Sequence, residues 1–485
     1  MKLRTVAIAS MLGMLSSSAA AYVMTDGPRP ARAIQVAMAA ATSAVDLPEP
    51  PGPRFVAGEV LRVEGRLGHE QLSASGSRET YVMFEVAGGE GAGRKRAPLD
   101  IALVIDRSGS MAGGRIESAV RAAVGLVEGL SDGDVVSAIT FDTGTELLVP
   151  ATAVSAETRP DIVAALRRIV LGGDTCISCG IERARAELAR TQGRVDRMIV
   201  LSDGRANHGV RDLVGLARIA EEAREAEVAI TTVGLGFDYN EKTLAQLASA
   251  SNGSHHFVPD ASALDTVFAA EAAAASASVA AECMAHVKLA EGVELLEVVD
   301  RAHRQTDGGV AVPLGAFSPG ERKTVLLRVR LPAGGEGNEG VASLELRYRD
   351  LGMDGEGMVA GALAVSIVSD TDGALDPLVD LRLQRRRTAA ALKEASRLFE
   401  GGRLEAARRV LEDNARDIDR ARHPFEPGMP RERDPRRTDI LGDLATQSRD
   451  TQASLDNLRQ AEQLRGQRRR GFVLDNQMMM NPYFD

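Results

Sequence analysis

Between Asp100 and Ala280, short apolar runs alternate with amphipathic segments, and this alternation constrains the fold more than any other feature. The apolar runs are nearly continuous in Ile, Val and Leu, as in strands that are buried on both faces. They predict strands at Ile101–Ile105, Val135–Phe141, Glu146–Pro150, Met198–Ser202, Val228–Gly234 and Ser254–Val258. The amphipathic segments predict helices at Ile116–Leu130, Glu157–Ile169, Ile181–Arg190, Val210–Glu225, Glu241–Ser249 and Ala261–Val279. This order predicts an α/β domain over residues 98–280, with a doubly wound, mostly parallel sheet.

Strand-like segments flank this domain on both sides. Residues 58–97 contain two segments with partial period-two alternation, and residues 281–370 contain several more, of which Thr324–Leu331 is the clearest. Because the first set has no helices of its own, we expect both sets to form one antiparallel β-sandwich. The α/β domain would then be an insertion between sandwich strands, which is feasible because domain termini often lie close together.

The C-terminal part of the chain changes to helical periodicity. Residues 376–464 predict a helical region with helices near Leu378–Glu400, Leu404–Ile418 and Leu441–Leu464. Residues 465–485 follow with a basic triplet and predict a disordered, solvated tail.

The N-terminus has the order of a secretory signal peptide. Two basic residues precede the apolar run Val6–Leu15, and small residues ending in Ala19–Ala21 follow it, which predicts a signal peptide over 1–21. The run is well short of the roughly 20 residues that a membrane span needs, and no later uncharged stretch reaches that length. Residues 22–57 are rich in Ala and Pro and predict an extended linker. We therefore expect a periplasmic or extracellular protein with no transmembrane span in the mature chain.

Composition excludes several function classes. The formal net charge of −10 argues against a chain that coats nucleic acid, and 3% aromatic residues argue against base-stacking platforms. Three cysteines in 485 residues exclude a disulfide scaffold, so a hydrophobic core must stabilise the fold. We expect no nucleic-acid partner.

Polar side chains occur in three loops that are predicted to lie at the edge of the sheet where the parallel strands end. The first strand runs into Asp106, Ser108 and Ser110. A second loop supplies Thr175 just before a helix, and a third strand ends at Asp203. Ligands of open α/β sheets bind at the carboxyl ends of the strands, so these loops can converge on one cation. Hydroxyl and carboxylate oxygens suit Mg²⁺.

Competing motifs fail on spacing. The run Gly109–Arg115 lacks the Lys and following hydroxyl of a phosphate-binding P-loop, and its glycines do not have the spacing of a dinucleotide site. The G-x-S-x-G elbow of hydrolases is absent around Ser108 and Ser110. Helix capping alone also favours Ser, Thr and Asp in such loops. The three loops together nevertheless favour a metal site.

The residue set Asp106, Ser108, Ser110, Thr175 and Asp203 resembles the metal-ion-dependent adhesion site of von Willebrand factor type A domains. The surrounding sequence is similar to that of bacterial members of this family, in the stretches ALVIDRSGSM, GGDTCISCGI, IVLSDGRANHG and TTVGLGFDYNE. The resemblance covers about Asp100 to Ala280 and, more loosely, the flanking strands.

The resemblance implies how the site would work. Ser108, Ser110 and Thr175 would bind Mg²⁺, or another divalent cation such as Mn²⁺ or Ca²⁺, through their hydroxyls. Asp106 and Asp203 would bind it directly or through water. The open sixth position would accept an acidic side chain from a protein ligand. The resemblance therefore implies cation-dependent protein binding, as in cell adhesion, and not catalysis.

The pair Cys176 and Cys179 lies at a helix start, directly after Thr175. A C-x-x-C pair there can be redox-active, because a helix N-terminus lowers a thiol pKa. The segment lacks the thioredoxin arrangement, however, and in an oxidising compartment we expect a local structural disulfide. We expect the remaining thiol, Cys283, to be a small buried hydrophobic side chain.

Two alternative functions stay open at this point. In the first, the chain is an assembly factor whose helical region 376–464 recruits an envelope complex. In the second, it is a thiol-disulfide oxidoreductase that uses Cys176 and Cys179.

Overall fold

The computed structural model describes residues 52–90, 96–203, 206–236, 241–258, 263–299, 301, 303–353, 355–369, 371–431, 433–434 and 436–463. The predicted signal peptide (1–21), most of the predicted linker and the predicted tail (465–485) lie outside the described residues.

The first four strands precede the α/β domain: β1 (Arg54–Ala57), β2 (Leu61–Leu67), β3 (Gln71–Ser73) and β4 (Glu79–Gly88). The prediction of a linker up to residue 57 is wrong for its last residues, because β1 pairs antiparallel with β2. The reason is a packing interaction between distant residues. The ring of Phe55 lies over Gly65 and Gly361, where any Cβ would collide with it. Those two glycines therefore make room for a strand that local composition does not predict.

The α/β domain contains six strands and six helices among the described residues. The strands are β5 (Leu99–Asp106), β6 (Val135–Phe141), β7 (Thr145–Ala153), β8 (Val195–Ser202), β9 (Ala229–Leu235) and β10 (His255–Val258). The helices are α1 (Gly114–Gly129), α2 (Arg159–Leu166), α3 (Ile177–Leu188), α4 (Leu213–Glu225), α5 (Glu241–Ala250) and α6 (Leu264–Ser276).

The strands of this domain form one sheet in the order β10-β9-β8-β5-β6-β7. All neighbours are parallel except β6 and β7, which are antiparallel. Helices cover both faces. Leu126 of α1 and Phe268 of α6 belong to one buried cluster, and Ile181 of α3 and Leu216 of α4 belong to another. The prediction of a doubly wound, mostly parallel α/β sheet is confirmed.

Seven strands follow this domain: β11 (Ala280–Leu289), β12 (Glu294–Val299), β13 (Arg304–Thr306), β14 (Gly309–Phe317), β15 (Arg322–Arg330), β16 (Gly337–Asp350) and β17 (Gly355–Val368). In the described part of the chain, they join the first four strands in two sheets, β1-β2-β4-β15-β12 and β13-β14-β11-β16-β17-β3. One hydrophobic cluster contains buried residues from both sheets, among them Val63 and Leu344.

The second of these sheets is mixed, whereas the sequence predicted antiparallel strands throughout. β3 pairs parallel with the end of β17, Ser366–Val368. This strand has only three residues. It follows β2, which belongs to the first sheet, so the chain crosses between the two sheets before β3 pairs at the edge of the second. The Asp372 carboxylate accepts a hydrogen bond from Ser73 N at 2.7 Å, which ties β3 to the chain that leaves β17.

Three long helices follow: α7 (Pro377–Glu400), α8 (Leu404–Arg422) and α9 (Arg437–Gln463). The prediction of a helical C-terminal region is confirmed. Gly402, with φ of +73°, lies in the tight turn that reverses the chain between α7 and α8. The helical region is packed on the five-stranded sheet, because Val379 and Leu383 of α7 share a buried cluster with Met83 and Leu326. No helix in the described ranges is long and apolar enough to cross a membrane.

A buried ion pair connects this helical region to the sheet. Arg66 of β2 donates from Nη1 to Asp376 Oδ2 at 2.9 Å, and both side chains are almost fully buried. The other carboxylate oxygen of Asp376 accepts from the backbone amides of Leu378 and Val379, at 2.9 Å and 3.3 Å, and so caps α7. One carboxylate therefore satisfies both a buried guanidinium and a helix N-terminus.

We predict that Asp376→Ala lowers the free energy of unfolding by about 2–3 kcal/mol, because it removes the cap of α7 and leaves the buried Arg66 guanidinium with only Glu64 as an ion-pair partner among the described residues. Urea denaturation followed by circular dichroism measures the change. The matched control is Asp417→Ala, which removes an exposed pair with Arg420 within α8 and should change stability by less than about 0.5 kcal/mol. Equal effects of the two substitutions would contradict the structural role of Asp376.

Candidate metal centre

The first loop of the candidate centre begins where β5 ends. All eight residues of β5 are buried, and its last residue, Asp106, is held on both carboxylate oxygens. Oδ1 accepts from the Ser108 backbone amide at 2.8 Å, and Oδ2 accepts from the Ser202 hydroxyl at 2.6 Å. Burial raises the pKa of the Asp106 carboxyl to about 6. This carboxyl therefore lies behind the loop, oriented by β8 and by its own turn.

Two loops that are distant in sequence meet at the Ser110 hydroxyl. Ser108 Oγ and Ser110 Oγ are 3.0 Å apart, and Ser110 Oγ donates to Asp203 Oδ1 at 2.7 Å. Asp203 directly follows the last residue of β8, which pairs with β5 in the sheet. The structure thus brings together Ser108, Ser110 and Asp203 as the sequence predicted.

The third loop, which carries Thr175, is attached to the first through backbone hydrogen bonds. Gly109 N donates to Gly173 O at 3.3 Å, and Gly172 N donates to Arg107 O at 2.7 Å. This approach is close, and a Cβ on Gly172 would collide with Asp142 Oδ2. Thr175 is buried directly after these residues. All five predicted residues therefore belong to loops that contact one another at the carboxyl edge of the sheet.

Asn207 positions the Thr175 loop, and the sequence did not indicate it. Its Oδ1 accepts from Thr175 N at 2.7 Å, and its Nδ2 donates to Asp174 Oδ1 at 3.1 Å. The backbone amides of Asn207 and His208 both donate to Thr175 O. Ser202 was missed in the same way. Ser202 directly precedes Asp203 and Asn207 follows it by four residues, but only the folded structure shows what they contact.

A disulfide joins Cys176 and Cys179 immediately after Thr175, with their Cα atoms 5.4 Å apart. Cys176 is fully buried, and a Cβ on Gly209 would collide with its Sγ, so the loop that follows Asp203 packs directly on the disulfide. Cys283 is buried and forms no disulfide within the described chain, and burial raises the pKa of its thiol. The disulfide therefore stabilises the junction between the Thr175 loop and α3, against which the loop after Asp203 packs.

Arg115 also belongs to the candidate centre, although the sequence did not predict it. It is the second residue of α1, and its guanidinium forms an ion pair with Asp203 Oδ2. Its Nη1 also donates to Ser110 O at 3.2 Å. Asp203 therefore accepts from Ser110 on one oxygen and from Arg115 on the other. The Arg115 side chain is 39% exposed, so it can move away from Asp203 into solvent.

The donor set suits a hard divalent cation. It contains two carboxylates and three hydroxyls and no sulfur or imidazole, which are the ligands that softer metals prefer. Across the residues that the structure describes, no group of three or more His, Cys, Asp or Glu side chains is placed to hold a metal. Any cation here would therefore depend on the hydroxyls of Ser108, Ser110 and Thr175.

Comparison with known proteins identifies the domain. Residues 100–270 match the sequence profile described as von Willebrand factor type A domain. Residues 100–270 are a von Willebrand factor type A domain. The chain is 26% identical over 314 residues to the uncharacterized protein sll0103 of Synechocystis sp., which covers 60% of this chain and 70% of that protein.

Two solved structures share the fold beyond the type A domain. A von Willebrand factor type A protein from Catenulispora acidiphila has a TM-score of 0.69 and 17% identity, and the match covers 90% of this chain and 98% of that chain. The ArnB paralog VWA2 from Sulfolobus acidocaldarius has a TM-score of 0.55 and 16% identity, with 87% and 98% covered. Type A domains in general mediate protein–protein interaction, and they often bind a divalent metal at the adhesion site.

We predict that Arg115→Gln tightens Mg²⁺ binding, because Arg115 is a tethered cation that competes for Asp203. A partly exposed ion pair contributes up to about 1 kcal/mol, which corresponds to about a fivefold gain in affinity. Isothermal titration calorimetry measures the Mg²⁺ affinity of the variant and of the wild type. Arg121→Gln, six residues further along α1, is the control, since Arg121 pairs with Asp265 instead. Unchanged or weaker binding in Arg115→Gln would show that Arg115 is not a competitor.

Proposed function

We propose that the type A domain binds a protein ligand through a divalent cation, Mg²⁺ or another such as Mn²⁺ or Ca²⁺. Ser108, Ser110 and Thr175 would hold the cation through their hydroxyls. Asp203 and, through water, Asp106 would balance its charge. The observation that carries the proposal is the hydrogen bond from Ser110 Oγ to Asp203 Oδ1, because it joins two of the loops at one point.

The side chains of this chain have distinct parts in such binding. Asp106 orients the first loop, since it holds the Ser108 amide on one oxygen and Ser202 on the other. Arg115 neutralises Asp203 before the cation arrives and must release it. A bound cation would supply an electrophilic position for a ligand carboxylate. Ligand binding then requires an acidic side chain that reaches the carboxyl edge of the sheet.

We further propose that the chain is a binding protein and not an enzyme, and that it works in the periplasm or outside the cell after export by residues 1–21. Type A domains mediate protein–protein interaction, which supports a role in adhesion or assembly. We interpret the two sheets that flank the domain as the predicted β-sandwich. The cluster that contains Val63 and Leu344 supports this interpretation, since its residues come from both sheets.

The two alternatives gain no comparable support. Truncation at Asp376 would not isolate a recruiting module, because α7 covers Met83 and Leu326 and its loss would expose them. The oxidoreductase alternative needs at least one sulfur that a substrate can reach. Cys176 is fully buried, Cys179 is partly buried, and Gly209 packs against both sulfurs, which suits a structural disulfide better.

The proposal predicts that Asp203→Ala abolishes Mg²⁺ binding without unfolding the protein. Loss of a mere outer-shell partner costs 10–100-fold in metal affinity, so loss of this carboxylate should cost at least about 100-fold. Calorimetry on the full chain gives the affinity, and circular dichroism checks the fold. The matched control is Asp161→Ala, an exposed acid in the first turn of α2 and outside the loops of the centre, and the Mg²⁺ affinity of this variant should stay within about twofold of the wild type.

Equal Mg²⁺ affinity in the wild type and Asp203→Ala would refute the site. Undetectable binding in the wild type and in Arg115→Gln alike would refute cation dependence as a whole. Where binding is found, capture of envelope proteins with and without EDTA then tests whether the cation is needed for the ligand.

A further inference from the structure

Two loops of the candidate centre expose large apolar side chains. Val170 and Leu171 precede Gly172, with 66% and 44% of their surface exposed, and Leu213 and Val214 begin α4, with 46% and 81% exposed. Seven large hydrophobic side chains are this exposed within the described residues, and these four lie in the loop before α3 and in the first turn of α4, at the carboxyl edge of one sheet. We call these four residues the apolar rim. Scattered apolar side chains need no explanation, but a group beside a binding site marks an interaction surface.

The apolar rim is fixed to the segments that carry the candidate ligands. On one side, Gly172 N donates to Arg107 O at 2.7 Å, next to Ser108. On the other side, Val210 N donates to Ser178 Oγ at 3.0 Å, and Asp212 caps α4 by accepting from Gly215 N at 2.8 Å. These hydrogen bonds hold the backbone beside each pair of apolar residues to the candidate centre, while the four apolar side chains remain exposed.

Cationic side chains accompany the apolar rim. Arg167 and Arg168 are exposed just before Val170, and no ion pair joins either of them to an acid in the described part of the chain. Arg211 is exposed just before Leu213. A surface that combines apolar side chains, arginines and a cation site is complementary to a segment in which an acid follows apolar residues.

The chain itself contains such a segment. Residues 471–485 read GFVLDNQMMMNPYFD, in which Asp475 follows Phe-Val-Leu and Asp485 follows Pro-Tyr-Phe. The chain has 11 Phe and 5 Tyr, and three of these aromatic residues lie within the segment, although it is a small part of the 485 residues. It lies outside the described residues and begins eight positions after α9 ends at Gln463.

We propose that the segment 471–485 docks on the apolar rim of its own chain and presents Asp475 or Asp485 to the metal centre. The carboxylate contact rests on the proposed function, whereas the apolar contact does not. Residues 464–485 can extend to about 70 Å, and tethering holds such a segment at an effective concentration of order millimolar. Docking within one chain is therefore favoured over docking between copies at micromolar protein. The docked segment would occupy the site until a stronger acidic ligand displaced it.

The test uses the full chain and a fluorescent synthetic peptide of residues 471–485, with Mg²⁺ present and with EDTA. In the tail variant, Asp475→Asn and Asp485→Asn are combined, so its own segment competes less for the site. It should bind the added peptide about tenfold tighter than the wild type does. Adding Val214→Asp to the tail variant should weaken peptide binding by about tenfold or more, because it removes an apolar contact. Removal of Mg²⁺ with EDTA should also weaken peptide binding.

Met353→Asp in the tail variant is the matched control. Met353 is 84% exposed in the turn between β16 and β17, so its substitution should leave peptide binding unchanged. Normal Mg²⁺ binding with no peptide binding, or with equal peptide affinity in the wild type and the tail variant, would overturn this inference alone. Peptide binding that depends on Val214 but not on Mg²⁺ would support the docking and contradict the proposed function. Dimers of the wild type in sedimentation at micromolar concentration, absent in the tail variant, would overturn docking within one chain.

Discussion

The candidate centre depends on the parallel pairing of β5 with β8. Their register aligns Ile105 with Leu201, so both strands end together, and the next residues start the loop that carries Ser108 and the loop that begins with Asp203. The buried hydrogen bond from Ser202 Oγ to Asp106 Oδ2, at 2.6 Å, then fixes one strand end to the other. Because the strands are buried and cannot slip without exposing apolar side chains, Asp203 always meets the loop that follows Asp106. The remaining loops pack against this pair.

Charge is arranged differently at the two edges of the sheet. At the carboxyl edge, Asp106 and Asp203 are surrounded by hydroxyls and an arginine, which are groups that a cation can join or replace. At the opposite edge, Asp100 and Asp196 are the second residues of β5 and β8, and burial raises the pKa of Asp100 to about 6 and that of Asp196 to about 7. Burial raises the pKa of Asp106 at the carboxyl edge to about 6 as well, so the pKa does not distinguish the two edges. The difference is that the carboxyl edge also has the hydroxyl donors for a divalent cation.

Much of the fold was predictable because it is encoded locally. Continuous Ile, Val and Leu runs identified the strands of the α/β sheet, and polar loops after those strands identified the candidate ligands. What the sequence did not predict arises from contacts between distant residues. β1 exists because Phe55 fits over two glycines, one of them about 300 positions away. Arg115 and Asn207 are ordinary polar residues until folding places them on Asp203 and Thr175. No local pattern distinguishes such residues from solvated neighbours.

The most direct test is to locate the cation itself. Crystals of the full chain grown with Mn²⁺ would give an anomalous difference map at the manganese edge. We expect one strong peak within coordination distance of the hydroxyls of Ser108, Ser110 and Thr175 and beside Asp203, with Arg115 displaced. A map without a peak at these residues, or with its peak at the opposite edge near Asp196, would contradict the assignment of the metal centre.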